Sequence, residues 1–221
     1  MPDPASHEQR VTDLVDELAQ SLTPVRRLPG PAMRTLAWCC AVLVLGAILL
    51  PLADLGGLWA RLGVPDLRYA AVCAFLTSAS AAFAAFQSSV PGRSPAWALL
   101  PLPPLVLWIG FSGLGCLRSW IAPAANLAEP EEMRGCFTFL MSVSLPLSVL
   151  LVTMLRRACP LRPNLTAALG GLAAAAAAAA LLVPFHPHDA TAIDLLVHLV
   201  AVLIVVGLNG LLGGRLLDRT G

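Results

Sequence analysis

Two of the four histidines in this 221-residue chain, His186 and His188, sit with Asp189 in the stretch "VPFHPHDA" (183–190), between two long apolar runs. Cys116 and Cys136 bracket another short polar segment, and Asp194 and His198 stand four residues apart just beyond the histidine loop. Thiolate, imidazole and carboxylate are the ligand types that zinc and related thiophilic metals prefer. The same two thiols could instead form a structural disulfide or an oxidant-sensing pair. His-Pro-His is not a strong metal motif, and Pro187 equally suits a tight polar turn. Asp194 and His198 by themselves read as a helix-start charge and an interface histidine. Catalysis finds no support: the chain has no GxSxG, no glycine loop to cradle phosphate, no HExxH and no paired carboxylates deep in an apolar run. The candidate sensing set is therefore Cys116, Cys136, His186, His188 and Asp189, with zinc or another thiophilic metal as the conceivable cofactor, its identity unknown, and no enzyme is expected.

The elements that would position these residues follow from composition. Hydrophobic residues make up 57% of the chain and charged ones 12%, with a mean hydropathy of +0.78, far above soluble domains. A bilayer core about 30 Å thick needs roughly 20 apolar residues of helix. Six runs qualify, at about 35–54, 69–87, 95–115, 136–155, 164–184 and 192–213. Lipid leaves backbone groups no partner but the helix itself, so the fold class is all-α: a polytopic membrane protein of six transmembrane helices. The acids near these runs, Asp54, Asp66, Asp189 and Asp194, fall at their ends, away from the midplane where transport sites concentrate.

Net charge is +1, so no global field favours nucleic acid, and direct nucleic-acid binding is not expected. Every basic residue is an arginine, and their placement is asymmetric. Arg10, Arg26, Arg27, Arg34, Arg93, Arg156, Arg157, Arg162, Arg215 and Arg219 share one side of the membrane, leaving Arg61, Arg68, Arg118 and Arg134 for the other. The positive-inside rule puts both termini in the cytoplasm and the histidine loop on the opposite side. No short apolar core with a cleavage site precedes the first span, which is expected to stay in the membrane.

Three parts result: residues 1–31, a cytoplasmic segment and linker; 32–215, the six-helix transmembrane domain; and 216–221, a short cytoplasmic tail. No internal repeat is evident. In the first part "VTDLVDELAQSL" places Val11, Leu14, Val15, Leu18 and Leu22 on one narrow helical face and Asp13, Asp16, Glu17 and Gln20 opposite. Ser6 and Gln9 are spaced as a capping box, and Pro24 marks the end. Such a helix is marginal alone and needs a surface to dock on. Interfacial helices carry Lys and Arg toward anionic lipid. This polar face is acidic, so a groove on a basic, DNA-binding protein fits better.

Within the bundle, Gly170, Gly171 and the alanines 173–180 suit close helix packing. Pro101, Pro103 and Pro104 should bend the third span, and Trp97, Trp108 and Trp120 could include interface anchors. Cys39, Cys40, Cys73 and Cys159 read as small reduced side chains.

Longer segments carry a resemblance. "LVDELAQSLTPVRRL" (14–28), "SVPGRSPAWALLPLPPLVLWIG" (89–110), "GCLRSW" (115–120), "RGCFTFLMSVSLPLSVLL" (134–151) and "LRRACPLRPNLTAALGGLAA" (155–174) together resemble the NrsF-type membrane anti-sigma factors over most of the chain. The resemblance implies a six-span protein of the bacterial inner membrane. Its cytoplasmic N-terminal segment would hold an extracytoplasmic-function sigma factor inactive and release it under oxidative or heavy-metal envelope stress. Carried onto this sequence, Leu14, Val15, Leu18 and Leu22 are the apolar contacts, Asp13, Asp16 and Glu17 the polar ones, joined by Arg26 and Arg27; Val11, on the same helical face, completes the candidate partner-binding set. It also implies sensing through two periplasmic cysteines, one in a position like Cys136 and one in the last loop, where this chain has His186. That substitution leaves either a Cys116 and Cys136 pair or a mixed cysteine and histidine sensor. A small transporter or metal-handling protein stays as the alternative function.

The charge asymmetry makes a testable statement about orientation. Alkaline phosphatase fused within the tail, at 216–221, should be inactive and a green fluorescent protein fused there bright, whereas phosphatase inserted between the third and fourth runs, within 116–135, should be active. The reverse pattern would place the tail outside.

Overall fold

The computed structural model describes residues 4–21, 28–121, 130–158, 160–185 and 192–217. They form α1 (Pro4–Gln20), α2 (Pro31–Leu49), α3 (Leu55–Leu62), α4 (Pro65–Ser88), α5 (Leu102–Ile121), α6 (Pro130–Leu155), α7 (Pro163–Leu182), α8 (Ala192–Leu208) and the short α9 (Gly214–Leu217). Among the described residues there is no strand. Helices are long and apolar enough to cross a membrane over Pro31–Leu52, Pro65–Ser88, Pro95–Arg118, Glu131–Leu155, Pro163–Phe185 and Ile193–Leu217, one for each apolar run. Six crossings return the chain to the side on which it began. The tail end of the bundle thus holds the start of α2 and the ends of α4 and α6, and the far end holds the ends of α5 and α7 and the start of α8.

Proline punctuates this architecture. Pro4, Pro31, Pro65, Pro130 and Pro163 each open a helix, a position where the missing N–H costs nothing because the first turn has no internal acceptor for it. The same rule corrects the expectation for the third span. Residues Pro95–Leu99 form a 3₁₀ helix, and α5 starts anew at Leu102, so Pro103 and Pro104 occupy its first turn. The discontinuity falls at Leu100–Pro101, near the tail end, and does not bend the middle of the span. Pro146 is the proline inside a described helix, α6. One other local expectation also changes. α1 already runs from Pro4, which leaves Ser6 in its first turn instead of at its cap. The segment between the first two spans contains α3, whose start is capped by Asp54: its Oδ1 accepts from the Gly57 N–H at 3.0 Å.

The centre of the bundle is α7, which packs on α4, α6 and α8. Ala173 to Ala179 are all buried. Their small side chains let α4 come close enough for Ser78 Oγ to donate to the Ala173 carbonyl at 3.0 Å and for the Ser88 and Thr166 hydroxyls to pair at 3.0 Å. On the other side α7 meets the end of α8, where the helix widens into a π turn at Asn209–Gly213. Asn209 Nδ2 there donates to Ser148 Oγ of α6 at 3.0 Å and to the Val205 carbonyl at 2.8 Å. The π turn is a local rearrangement that the Asn209 amide helps to satisfy.

The two adjacent glycines of α7 are not equivalent. A Cβ on Gly170 would lie 2.7 Å from Leu151 Cδ2, the movable tip of a side chain, whereas one on Gly171 would lie 3.0 Å from both the Val205 carbonyl oxygen and the Val206 Cα. At Gly110 nothing lies within 4 Å. Gly171→Ala should therefore destabilise the bundle by about 1–3 kcal/mol through backbone displacement. Gly170→Ala should cost less, and Gly110→Ala should change stability by under about 0.5 kcal/mol. Thermal unfolding of the purified protein in detergent measures the order.

Candidate functional site

The tail is an uncovered amphipathic helix. Every described side chain of α1 from Glu8 to Gln20 is exposed, including Val11, Leu14, Val15 and Leu18, which are 48 to 57% accessible. Its local hydrogen bonds stay within the helix: Thr12 Oγ1 donates to the Glu8 carbonyl at 2.9 Å and Ser21 Oγ to the Leu18 carbonyl at 2.8 Å. The apolar stripe read from the sequence is therefore present as a continuous surface, with Asp13, Asp16 and Glu17 on the opposite face. Leu22, Pro24, Arg26 and Arg27 lie outside the described residues.

Just beyond the linker, Arg34 makes the bundle's tail-end latch, which sequence reading had counted only as a charge before the first span. It sits one turn into α2 and is 6% exposed. Its Nη1 donates to Ser89 Oγ at 3.2 Å, its Nη2 donates to the Met154 carbonyl, and the guanidinium lies 4.4 Å above the Phe86 ring. One side chain thus joins α2, the end of α4 and the last turn of α6. A buried guanidinium is held here by charge-assisted hydrogen bonds and a ring face, with neutral partners throughout.

At the far end, Cys116 of α5, Cys136 of α6 and Asp194 and His198 of α8 converge. Cys136 is 5% exposed and belongs to the apolar core beside Leu140, while Cys116 is half-buried. Both thiols lie within electrostatic range of Asp194. Asp194 is 3% exposed, and its carbonyl accepts from His198 Nδ1 at 2.7 Å. All five described cysteines are free thiols; Cys159 lies outside the described residues. A tilted ring pair, Phe139 of α6 and Phe185, with centroids 5.2 Å apart, pins the start of the histidine loop one turn along from Cys136. His186, His188 and Asp189 themselves lie outside the described residues. Among the described residues no three His, Cys, Asp or Glu side chains gather closely enough to hold a metal ion.

Cys116, Asp194 and His198, with Ser112, also line one end of a cavity of ≈ 180 Å³ bounded by α4, α5, α7 and α8. Its remaining wall is apolar, and Trp108 contributes to it. Two of the three tryptophans considered as membrane anchors are thus packed inward, since Trp97 meets Phe83 edge-on at 5.6 Å. Trp120 is 82% exposed at the far end. Nearby, Arg118 of α5 pairs with Asp66 of α4, joining two of the charges that sequence reading had assigned to far-side ends.

A family model described as "Negative regulator of sigma F" matches residues 18–218, nearly the whole chain. The chain belongs to the NrsF family. No curated protein and no solved structure matches it. Membership makes the protein one of a family of negative regulators of a sigma factor. The match begins inside α1, at residue 18, so it takes in the end of the amphipathic helix, the linker, the Arg34 latch and all six candidate spans.

The signals for Asp194 and His198 were present in the sequence as an acid and an imidazole at i and i+4, but a spacing does not say which groups face them. Arg34→Ala should lower stability by about 2–4 kcal/mol, because charge-assisted hydrogen bonds and a ring contact are lost together. Arg34→Lys should recover part of that loss. Thermal melts of the two variants in detergent test this.

Proposed function

We propose that this protein is a membrane anti-sigma factor whose α1, on the cytoplasmic side of the inner membrane, captures an extracytoplasmic-function sigma factor and releases it under envelope stress. The observation that carries the proposal is the fully uncovered apolar stripe of α1 opposite an acidic face, in a chain whose family regulates sigma factors negatively. Val11, Leu14, Val15, Leu18 and Leu22 enter an apolar groove on the sigma factor. Asp13, Asp16 and Glu17 meet its basic surface, and Arg26 and Arg27 extend the contact. A helix laid in a groove buries its stripe and acquires the tertiary support that a short isolated helix lacks.

Sensing occurs at the far end, through the thiols of Cys116 and Cys136 and the imidazoles of His186 and His188 with Asp189. Chemical change at Cys136 disturbs a core position, since that side chain is buried against its neighbours, and packed cores respond by shifting instead of deforming smoothly. α6 supports the transmission: one helix carries Cys136 at one end and the Met154 carbonyl that holds Arg34 at the other. Arg34 stands four residues after Gly30, the N-cap of α2, next to the linker. A coupling of only ~1–3 kcal/mol between these ends would alter sigma-factor affinity roughly 5- to 150-fold.

Two measurements separate binding from sensing. Leu14→Asp with Leu18→Asp in the full-length protein should weaken sigma-factor binding by on the order of 100-fold, since each buried leucine contributes roughly 1.5 kcal/mol or more. Binding to nanodisc-embedded protein by interferometry reads this directly, and unchanged affinity would sink the assignment to α1. Cys136→Ser with His186→Ala should leave resting repression intact yet abolish release by oxidants and heavy-metal ions in a sigma-dependent reporter strain. A normal response in that strain would move the sensor elsewhere.

A further inference from the structure

Charge is sorted between the two ends of the bundle. At the tail end the Ser88 and Thr166 hydroxyls pair, Arg34 reaches Ser89 and Met154, and α9 packs on α7. Arg93 follows Ser89 by four residues, Arg157 follows Met154 by three, Arg162 precedes Thr166 by four and Arg215 belongs to α9, so these contacts set all four around one rim. All four are exposed. Arg34 lies beneath them, held by a hydroxyl, a carbonyl and a ring, none of them anionic. Residues 18–53, 67–128, 133–188 and 195–217 contain no Asp or Glu, and every described residue of this end falls within those stretches. The rim is therefore a patch of one sign.

The helix tethered beside this rim has the opposite sign. From Glu8 to Gln20, α1 carries four acids, Glu8, Asp13, Asp16 and Glu17, against one arginine, Arg10. Ten residues, 21–30, join Gln20 to Pro31. At ~3.3–3.6 Å per residue they span at most roughly 35 Å, enough to lay α1 over a rim whose neighbouring helix axes are about 8–10 Å apart. A single exposed ion pair is worth little. Here three acids on one helical face meet four arginines clustered over a low-dielectric bundle, which focuses their field. The short tether also makes the encounter intramolecular, at an effective concentration in the millimolar range. Anionic lipid, by contrast, repels an acidic helix face.

We infer that the acidic face of α1 docks on this arginine rim, with Asp13, Asp16 and Glu17 against Arg93, Arg157, Arg162 and Arg215. Docking is a second position of a helix that the structure holds uncovered. The functional consequence rests on the reading above, in which the same three acids meet the basic surface of the sigma factor. Two basic surfaces then compete for one acidic face. The sigma factor must draw α1 off the rim, and its apparent affinity falls in proportion to the fraction of α1 left undocked.

The chain contains no lysine, so Arg157→Lys and Arg162→Lys, made singly, each keep the charge and supply one side-chain amine. Carbodiimide joins such an amine to a carboxylate only where the two touch. Mass spectrometry of the digested full-length protein, one copy per phosphatidylcholine nanodisc, identifies the linked residues. At low salt each lysine should link to Asp13, Asp16 or Glu17. The yield should fall at least about fivefold in 1 M salt, where the screening length is about 3 Å. Arg118→Lys, at the far end, should link to Asp66, its partner in the structure, and not to α1. No link from either rim lysine to α1, or a yield indifferent to salt, would overturn the inference. Links that vanish in nanodiscs containing phosphatidylglycerol would assign the rim to anionic lipid and overturn it equally. Added sigma factor should suppress the links, and links that persist with sigma factor bound would overturn the competition. Docking itself is read without sigma factor, so its failure and a failure of the sigma-factor assignment are told apart.

Discussion

Close approach of α7 to its neighbours is the constraint on which the rest of the bundle depends. In a bilayer, apolar helices gain little by leaving lipid, so association must come from fit and from hydrogen bonds between helices. Ala173 to Ala179 and the paired glycines provide the fit. They let the Ser78 hydroxyl reach the α7 backbone, and they admit the π turn of α8 with its Asn209 amide. With larger side chains along α7, α4 and α8 would stand farther apart, and neither the far-end cluster nor the tail-end latch would assemble, each from residues of three different helices.

The two ends of the bundle perform different chemical tasks under the same rule, that a polar group inside a membrane protein must be answered. At the tail end a guanidinium is answered by two oxygens and a ring, none of them charged. At the far end a carboxylate, an imidazole and two thiols share one region, beside an apolar chamber. α6 reaches both. The linker that carries the amphipathic tail enters the bundle within one helical turn of the latch.

Six spans, their order and the amphipathic tail were all legible in the sequence, because hydropathy and helical period are properties of consecutive residues. The role of "GGLAAAAAAAALL" as a packing surface was legible for the same reason. Proline was harder. Pro103 and Pro104 look like kinks when a span is bounded by hydropathy alone, yet hydropathy does not distinguish a 3₁₀ lead-in from the α-helix that follows it. Arg34 was missed because a charge four residues from a linker looks solvated until the carbonyl of Met154, 120 residues away, is brought against it.

What the sequence by itself determined is therefore local: helix, span, tail and the residue types available for chemistry. Tertiary structure alone decided which of those residues meet. Asp194 and His198 pass for a helix start and an interface histidine until α5 and α8 set them around the same cavity as Cys116. Cys136 becomes a core position only when α6 packs. The physical reason is that burial and pairing depend on distances between segments far apart in the chain, and those distances are set by side-chain volume along α7, which no periodicity within a single segment encodes.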